Sequence, residues 1–204
     1  MTAVKICGVR SVADARVAVD AGADALGLNF WARSPRRCHL EEATRIARTV
    51  GDRVRLVGVY VDASIETIED TRARTGVRWA QLHGDEPEAM LRALLPEAYR
   101  AVHAVGPAGE GRALTTAGAE VLLDARLPGK PGGTGRRCDW DLAARVAARR
   151  PVWLAGGLTP ENVAEAIGRV GPHGVDVASG VEAAPGRQDP ERVRAFVRAA
   201  KAAS

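Results

Sequence analysis

At 204 residues, 46% hydrophobic and 26% charged, the chain has room for one well-filled core, so residues 1–204 are read as a single domain expected to stand alone. Its net charge of +4 comes mostly from arginines interleaved with Glu and Asp in helical stretches, and 4% aromatic residues leave few platforms for stacking bases. That argues against a nucleic-acid partner and suits a small anionic ligand. No run approaches the roughly eighteen apolar residues of a membrane span, and Lys5 interrupts the apolar start where a signal peptide would need continuity, so no membrane partner is expected. The three cysteines, Cys7, Cys38 and Cys138, are widely spaced and form no CxxC pair, which reads as free thiols in a cytoplasmic protein.

Apolar runs then alternate with helical stretches along the chain. A strand is expected over residues 4–7, followed by a helix that Ser11 opens with Asp14 three residues on, and that Gly22 ends. The second strand, Ala25–Asn29, leads through a basic loop to a helix over 41–50 with Ala43, Ile46, Ala47 and Val50 on one face. A third strand at 56–61 precedes a helix capped by Ser64, with Ile65 and Ile68 inward and Gly76 at its end. A fourth at 79–83 is followed by a helix over 87–95, and a fifth strand is expected at 100–105.

The fifth helix reads as short or irregular, because residues 106–118 hold four glycines and a proline. The sixth strand, Val121–Asp124, runs into a Gly-rich loop and a helix over 141–150. After the seventh, at 152–155, Thr159 is expected as N-cap with Pro160 at N1 and Val163, Ala166, Ile167 and Val170 buried. The eighth, at 174–178, precedes a helix capped by Asp189 with Pro190 at N1 and Val193, Phe196 and Val197 facing in. Eight such units without a composition break predict an α/β fold, a closed parallel (β/α)8 barrel. A doubly wound sheet is the alternative, but no strand carries G-x-G-x-x-G.

In such a barrel, ligands are held at the C-terminal ends of the strands, with phosphate bound after strands seven and eight. Those turns here read Gly156-Gly157 and Ser179-Gly180, small residues that let backbone N–H groups approach an anion; ordinary tight turns would also contain them. Residues two apart share a strand face, so Lys5 pairs with Cys7 and Gln81 with His83, while Asp124 closes strand six and Asp176 lies in strand eight. Each has a plainer reading: Cys7 as a small buried hydrophobe, Asp124 as a loop cap, His83 bonded to a carbonyl, Lys5 as a structural residue. Together, a thiol and a carboxyl across a phosphate-binding mouth suit paired base and acid work. In the loop Arg33-Ser34-Pro35-Arg36-Arg37, a guanidinium is placed to meet a carboxylate bidentately, or is only a solvated basic turn. Pro131-Gly132-Gly133-Thr134-Gly135 reads as a lid loop or a flexible linker.

Taken in order, Lys5-Ile6-Cys7-Gly8, Ser34-Pro35-Arg36, Gln81-Leu82-His83-Gly84, Leu123-Asp124, Gly132-Gly133-Thr134-Gly135 with Asp139-Trp140, Gly156-Gly157-Leu158-Thr159-Pro160-Glu161-Asn162-Val163 and Ser179-Gly180-Val181-Glu182 resemble the phosphoribosylanthranilate isomerases. The resemblance implies a (β/α)8 barrel of tryptophan biosynthesis. It would convert N-(5-phosphoribosyl)anthranilate to 1-(o-carboxyphenylamino)-1-deoxyribulose 5-phosphate, an Amadori rearrangement that uses no metal and no organic cofactor. Carried over by position, it implies Cys7 as general base, Asp124 as general acid and Arg36 on the anthranilate carboxylate. Gly156, Gly157, Ser179 and Gly180 would hold the phosphate. Gln81, His83 and Asp176 would line the substrate, and Gly133, Thr134 and Gly135 would close over it. Arg37, Cys38, Cys138 and Ala178 depart from the usual residues of the pattern. The small-molecule substrate is the expected partner, with the chain a monomer or homodimer.

Other phosphate-binding barrels fit less well. A metal-dependent epimerase needs several His and acid ligands at strand ends, and only His83 is well placed. The histidine-pathway isomerases pair two aspartates, whereas strand one here ends in Cys7. A phosphate-ligand sensor would have no use for both an acid and a base.

Overall fold

The computed structural model describes residues 1–103, 105–124 and 139–203. Strands and helices alternate as β1 (Ala3–Cys7), α1 (Val12–Asp20), β2 (Ala25–Asn29), α2 (Leu40–Val50), β3 (Arg55–Tyr60), α3 (Ile65–Thr75), β4 (Trp79–Leu82) and α4 (Glu88–Leu94). They continue as β5 (Ala98–His103), α5 (Gly106–Thr115), β6 (Val121–Asp124), α6 (Trp140–Ala147), β7 (Val152–Leu154), α7 (Val163–Val170) and β8 (Gly174–Val177). A hairpin of β9 (Glu182–Ala184) and β10 (Arg187–Gln188) precedes α8 (Pro190–Ala202). The first eight strands pair in sequence order, all parallel, and β8 pairs back onto β1 with Asp176 opposite Lys5. The sheet is therefore a closed barrel, as the repeating pattern predicts.

Closure divides the apolar residues into two layers. Strand residues pointing outward, among them Ile6, Leu26, Leu28, Leu123, Leu154 and Val175, pack under the helices against Ile46, Val163, Ile167 and Phe196. The inward set, two residues apart on each strand, includes Ala25, Val57, Tyr99, Leu122 and Trp153. Trp153 fills the lower barrel: a Cβ at Gly174, its neighbour on β8, would meet the indole at 2.5 Å. Below it, the Trp153 indole donates to Glu120 at 2.5 Å, Glu120 pairs with Arg55 at 2.7 Å, and the Arg55 guanidinium stacks 4.0 Å over the Trp79 ring. This polar ring seals the end of the barrel away from the strand C-termini.

Helix capping follows the sequence where local chemistry decides it. Ser11 accepts from the Asp14 amide, Ser64 from Thr67, and Asp189 from Glu191 and Arg192. Three elements differ from the expectation. The segment rich in glycine forms a ten-residue helix, α5, longer than α6 or α7. Each glycine costs up to about 1 kcal/mol of helix propensity, but Pro107 starts the helix, Ala113 is fully buried, and Glu110 on its outer face meets Arg145 of α6. Helix α7 begins at Val163 rather than at Pro160. The Asn162 side chain accepts from the Thr159 amide at 2.8 Å and donates to the Gly157 carbonyl at 2.9 Å, holding 159–162 as a separate turn. Strand β5 also starts at Ala98, two residues before the expected position, which brings Tyr99 into the barrel.

Candidate active site

The inward alternation on β1 places Ala3, Lys5 and Cys7 one above another toward the mouth. Lys5 is completely buried, and a buried ammonium is tolerable only with partners. It donates to Gln81 Oε1 at 2.8 Å and to Asp176 Oδ2 at 3.0 Å. Burial opposes the charge on Lys5, but the Asp176 carboxylate, then Cys7 and Tyr99, outweigh it and hold the ammonium above its ordinary pKa. The Tyr99 hydroxyl donates to the same Gln81 oxygen at 3.1 Å. Burial raises the pKa of that phenol, with Lys5 pulling the other way, so it remains a neutral donor.

From Gln81 the network climbs to the mouth. Gln81 Nε2 lies 2.8 Å from His83 Nδ1, and His83 Nε2 lies 3.2 Å from Asp124 Oδ2. Lys5, Gln81, His83, Asp124 and Asp176, from strands β1, β4, β6 and β8 and the residue just after β4, are thus joined in one hydrogen-bonded chain. Cys7, half-buried, sits one inward position above Lys5. Gly27 opposite it on β2 makes room: a Cβ there would come within 2.7 Å of the Cys7 Sγ. Cys38, by contrast, is buried under α2, and burial, then Glu42, pushes its thiol up to about 12, well out of the reactive range.

The glycine turns meet beside this network. Gly156 and Gly157 have φ of 89° and 67°, left-handed values that only glycine adopts cheaply. After β8 the chain makes a short 3-10 turn over Ser179–Val181. A Cβ on Gly180 would run into the Leu158 carbonyl, so the two turns touch and form one surface. At these turns the small residues Gly156, Gly157, Ser179 and Gly180 leave the backbone open to close approach by an anion. Backbone amides arranged this way form an anion cradle.

Arg36 and Arg37 separate in space. The Arg36 stem lies across Gly8, the residue after Cys7, where a Cβ would meet its Cδ at 2.8 Å. Glu182 grips it bidentately, Nε to Oε1 at 2.8 Å and Nη2 to Oε2 at 2.6 Å. Arg37 instead lines a separate cavity of about 290 Å³ with Phe30, Trp31 and Tyr60. The sequence offered no partner for Arg36. Glu182 stood within the Ser179-Gly180-Val181-Glu182 motif without a role, and it reaches Arg36 because the β9–β10 hairpin folds back: Gly186 N donates to Glu182 Oε1 at 2.9 Å. Gln188 on the same hairpin donates to the Cys7 carbonyl at 3.3 Å, a contact with no signal in the sequence. Gly133, Thr134, Gly135 and Cys138 lie outside the described residues. Among the described residues, no cluster of His, Cys, Asp and Glu has the make-up of a metal site, and no helix is long and apolar enough to cross a membrane.

A closed (β/α)8 barrel with a thiol and a carboxyl at its mouth, next to a doubled glycine turn, has the make-up of a phosphate-binding barrel enzyme of the acid–base type. Comparison with known proteins narrows the class. Residues 4–199 match the family model of N-(5'-phosphoribosyl)anthranilate (PRA) isomerase. An N-(5'-phosphoribosyl)anthranilate isomerase of Myxococcus xanthus is 48% identical over 203 residues, covering 97% of this chain and 95% of that protein. One from Geobacter sp. strain M21 is 43% identical over 201 residues, with 98% of each covered. The crystal structure of phosphoribosyl anthranilate isomerase from Thermotoga maritima superposes with a TM-score of 0.91 at 37% identity, over 99% of this chain and all of that one (100%). The chain belongs to the N-(5'-phosphoribosyl)anthranilate isomerase family.

Proposed function

We propose that this chain isomerises N-(5'-phosphoribosyl)anthranilate to 1-(o-carboxyphenylamino)-1-deoxyribulose 5-phosphate in tryptophan biosynthesis, with Asp124 as general acid and Cys7 as general base. The observation that carries the assignment is the strand order. Asp124 ends β6 and Cys7 ends β1, and the two strands between them, β7 and β8, lead into the glycine turns. A sugar phosphate anchored at those turns extends its ring between the acid and the base. A related phosphoribosyl anthranilate isomerase, solved in complex with reduced 1-(o-carboxyphenylamino)-1-deoxyribulose 5-phosphate, matches this chain at 36% identity with a TM-score of 0.88. That likeness supports the same ligand class here.

In this reading, protonated Asp124 gives its proton to the ring oxygen as the C1–O bond breaks, and the anilino nitrogen lone pair forms the iminium. The Cys7 thiolate then takes the C2 proton. The C–H electrons become the C1–C2 double bond of an enolamine, neutralising the iminium, and the enolamine tautomerises to the aminoketose. At neutral pH an ordinary carboxyl and thiol are each in the wrong state for these steps. Lys5 beneath Cys7 favours the thiolate, since their attraction is mutual, but Asp176 spends part of that field on itself. Arg36, held by Glu182 with its stem across Gly8, is the candidate for the anthranilate carboxylate.

All the proposed groups come from one chain, so a monomer or a homodimer would carry a complete site, and we treat residues 1–204 as one catalytic domain. We place it in the cytoplasm on its thiol usage. Expression of the chain in a tryptophan auxotroph lacking this isomerase tests the activity: growth without tryptophan supports it, and failure of folded, expressed protein to restore growth rejects it. Arg36→Ala is expected to raise KM at least about tenfold, the scale of one lost charge-assisted hydrogen bond of 1.5–3 kcal/mol, with a smaller change in kcat. Steady-state kinetics decide it, and an effect confined to kcat removes Arg36 from substrate binding.

A further inference from the structure

We propose that Gln81 and His83 form a positioning relay, anchored on Lys5, that fixes His83 as the neutral Nε2–H tautomer and so holds a neutral N–H donor against Asp124. This rests on Asp124 being the acid. Donor and acceptor chemistry alone sets the direction of each link. An ammonium can only donate, so the Gln81 atom 2.8 Å from Lys5 Nζ is the amide oxygen. That fixes the amide orientation, which the near-identical shapes of O and NH2 would otherwise leave open. The Tyr99 hydroxyl, donating to the same oxygen at 3.1 Å, agrees.

The Gln81 NH2 group therefore faces His83 Nδ1 at 2.8 Å. An amide NH2 only donates, so Nδ1 is the unprotonated acceptor, and a neutral ring carries its proton on Nε2. That N–H points at Asp124 Oδ2, 3.2 Å away. Each link has one permitted direction, and at the lower links burial keeps water from competing: Lys5 and Tyr99 are fully buried and Gln81 is 1% exposed.

The relay has two consequences for the acid. Asp124 Oδ2 accepts that N–H, which orients the carboxyl at the mouth. And protonating His83 on Nδ1 would set ring N–H against amide N–H, so the ring facing Asp124 stays neutral. An imidazolium there would favour the carboxylate and empty the acid of its proton. Gln81, buried and engaged on every side, acts from beneath; it is a positioning residue rather than a substrate contact.

The test combines 15N NMR of histidine-labelled protein with kinetics. In the unaltered protein at neutral pH, His83 is expected to show a protonated Nε2 and a bare Nδ1. In Gln81→Glu the carboxylate can only accept, so Nδ1 gains a proton, and kcat falls about 10- to 100-fold, part of the range typical of acid–base residues, with KM little changed. His83→Gln, which retains an N–H donor, recovers part of the turnover lost in His83→Ala. A bare Nε2 or a charged ring in the unaltered protein overturns the relay, as does a Gln81→Glu protein with unchanged kcat. If Gln81→Glu fails to fold, the tautomer of the unaltered protein and the two His83 variants still decide. Asp124→Asn separates the two levels. Normal turnover in that variant rejects Asp124 as acid, whereas an inactive Asp124→Asn beside the wrong His83 tautomer rejects the relay alone.

Discussion

Cys7→Ser is expected to lower kcat by about 100- to 10,000-fold, the range general acid–base groups supply, while KM changes only a few-fold. The substitution is nearly isosteric, and the space Gly27 leaves around Sγ accepts the smaller oxygen without strain. What changes is acidity. A serine hydroxyl stays protonated at neutral pH next to the same Lys5, so no base is present to take the C2 proton. The binding groups assigned to the phosphate and the carboxylate, the glycine turns and Arg36, are untouched, and loss of an interaction made only in the transition state lowers kcat and kcat/KM together. Steady-state kinetics on the purified variant measure this directly. Turnover near that of the unaltered chain removes Cys7 from the chemistry.

Lys5→Met is expected to destabilise the fold by about 3–5 kcal/mol, the usual result of removing one partner from a buried ion pair. Lys5 is 0% exposed, and its loss leaves Asp176 without its cation and Gln81 Oε1 without its strongest donor. Methionine fills most of the volume, so the deficit is electrostatic rather than a cavity. Replacing both partners, Lys5→Met with Asp176→Asn, is expected to recover a large part of the loss, because no uncompensated charge remains. The pH dependence has a definite sign. Lys5 is raised above its ordinary 10.5 in the folded state, so its contribution is fully present below 10.5 and is lost as pH climbs past that value. Urea titrations at neutral pH and above pH 10.5 read both effects. A single variant as stable as the unaltered chain contradicts the account of the barrel interior.

Much of this protein was legible along the chain, because helix caps, strand runs and glycine turns are local. Ser11, Ser64 and Asp189 cap where they stand, and the eight strand–helix units close into the barrel their repetition implies. The two-residue alternation of strands also puts Lys5 under Cys7 and Gln81 under His83. Local rules failed where a distant partner outweighed them: packing kept α5 helical through its glycines, and the Asn162 side chain delayed α7.

The site shows the same division. Residue types and their strand ends came from the sequence; who touches whom did not. Lys5 meets Asp176 from 171 positions away, and Arg36 meets Glu182 from 146 away. Nothing in local propensity encodes such pairings, since they exist only once the barrel closes and strands β1, β4, β6 and β8 face one another across its axis. Residue order alone specifies a barrel with a thiol, acids and glycine turns at its mouth. Only the closed fold decided that a buried ammonium would orient an amide, the amide a histidine, and the histidine a carboxyl, because donors and acceptors acquire a direction only when water is excluded and every partner is fixed.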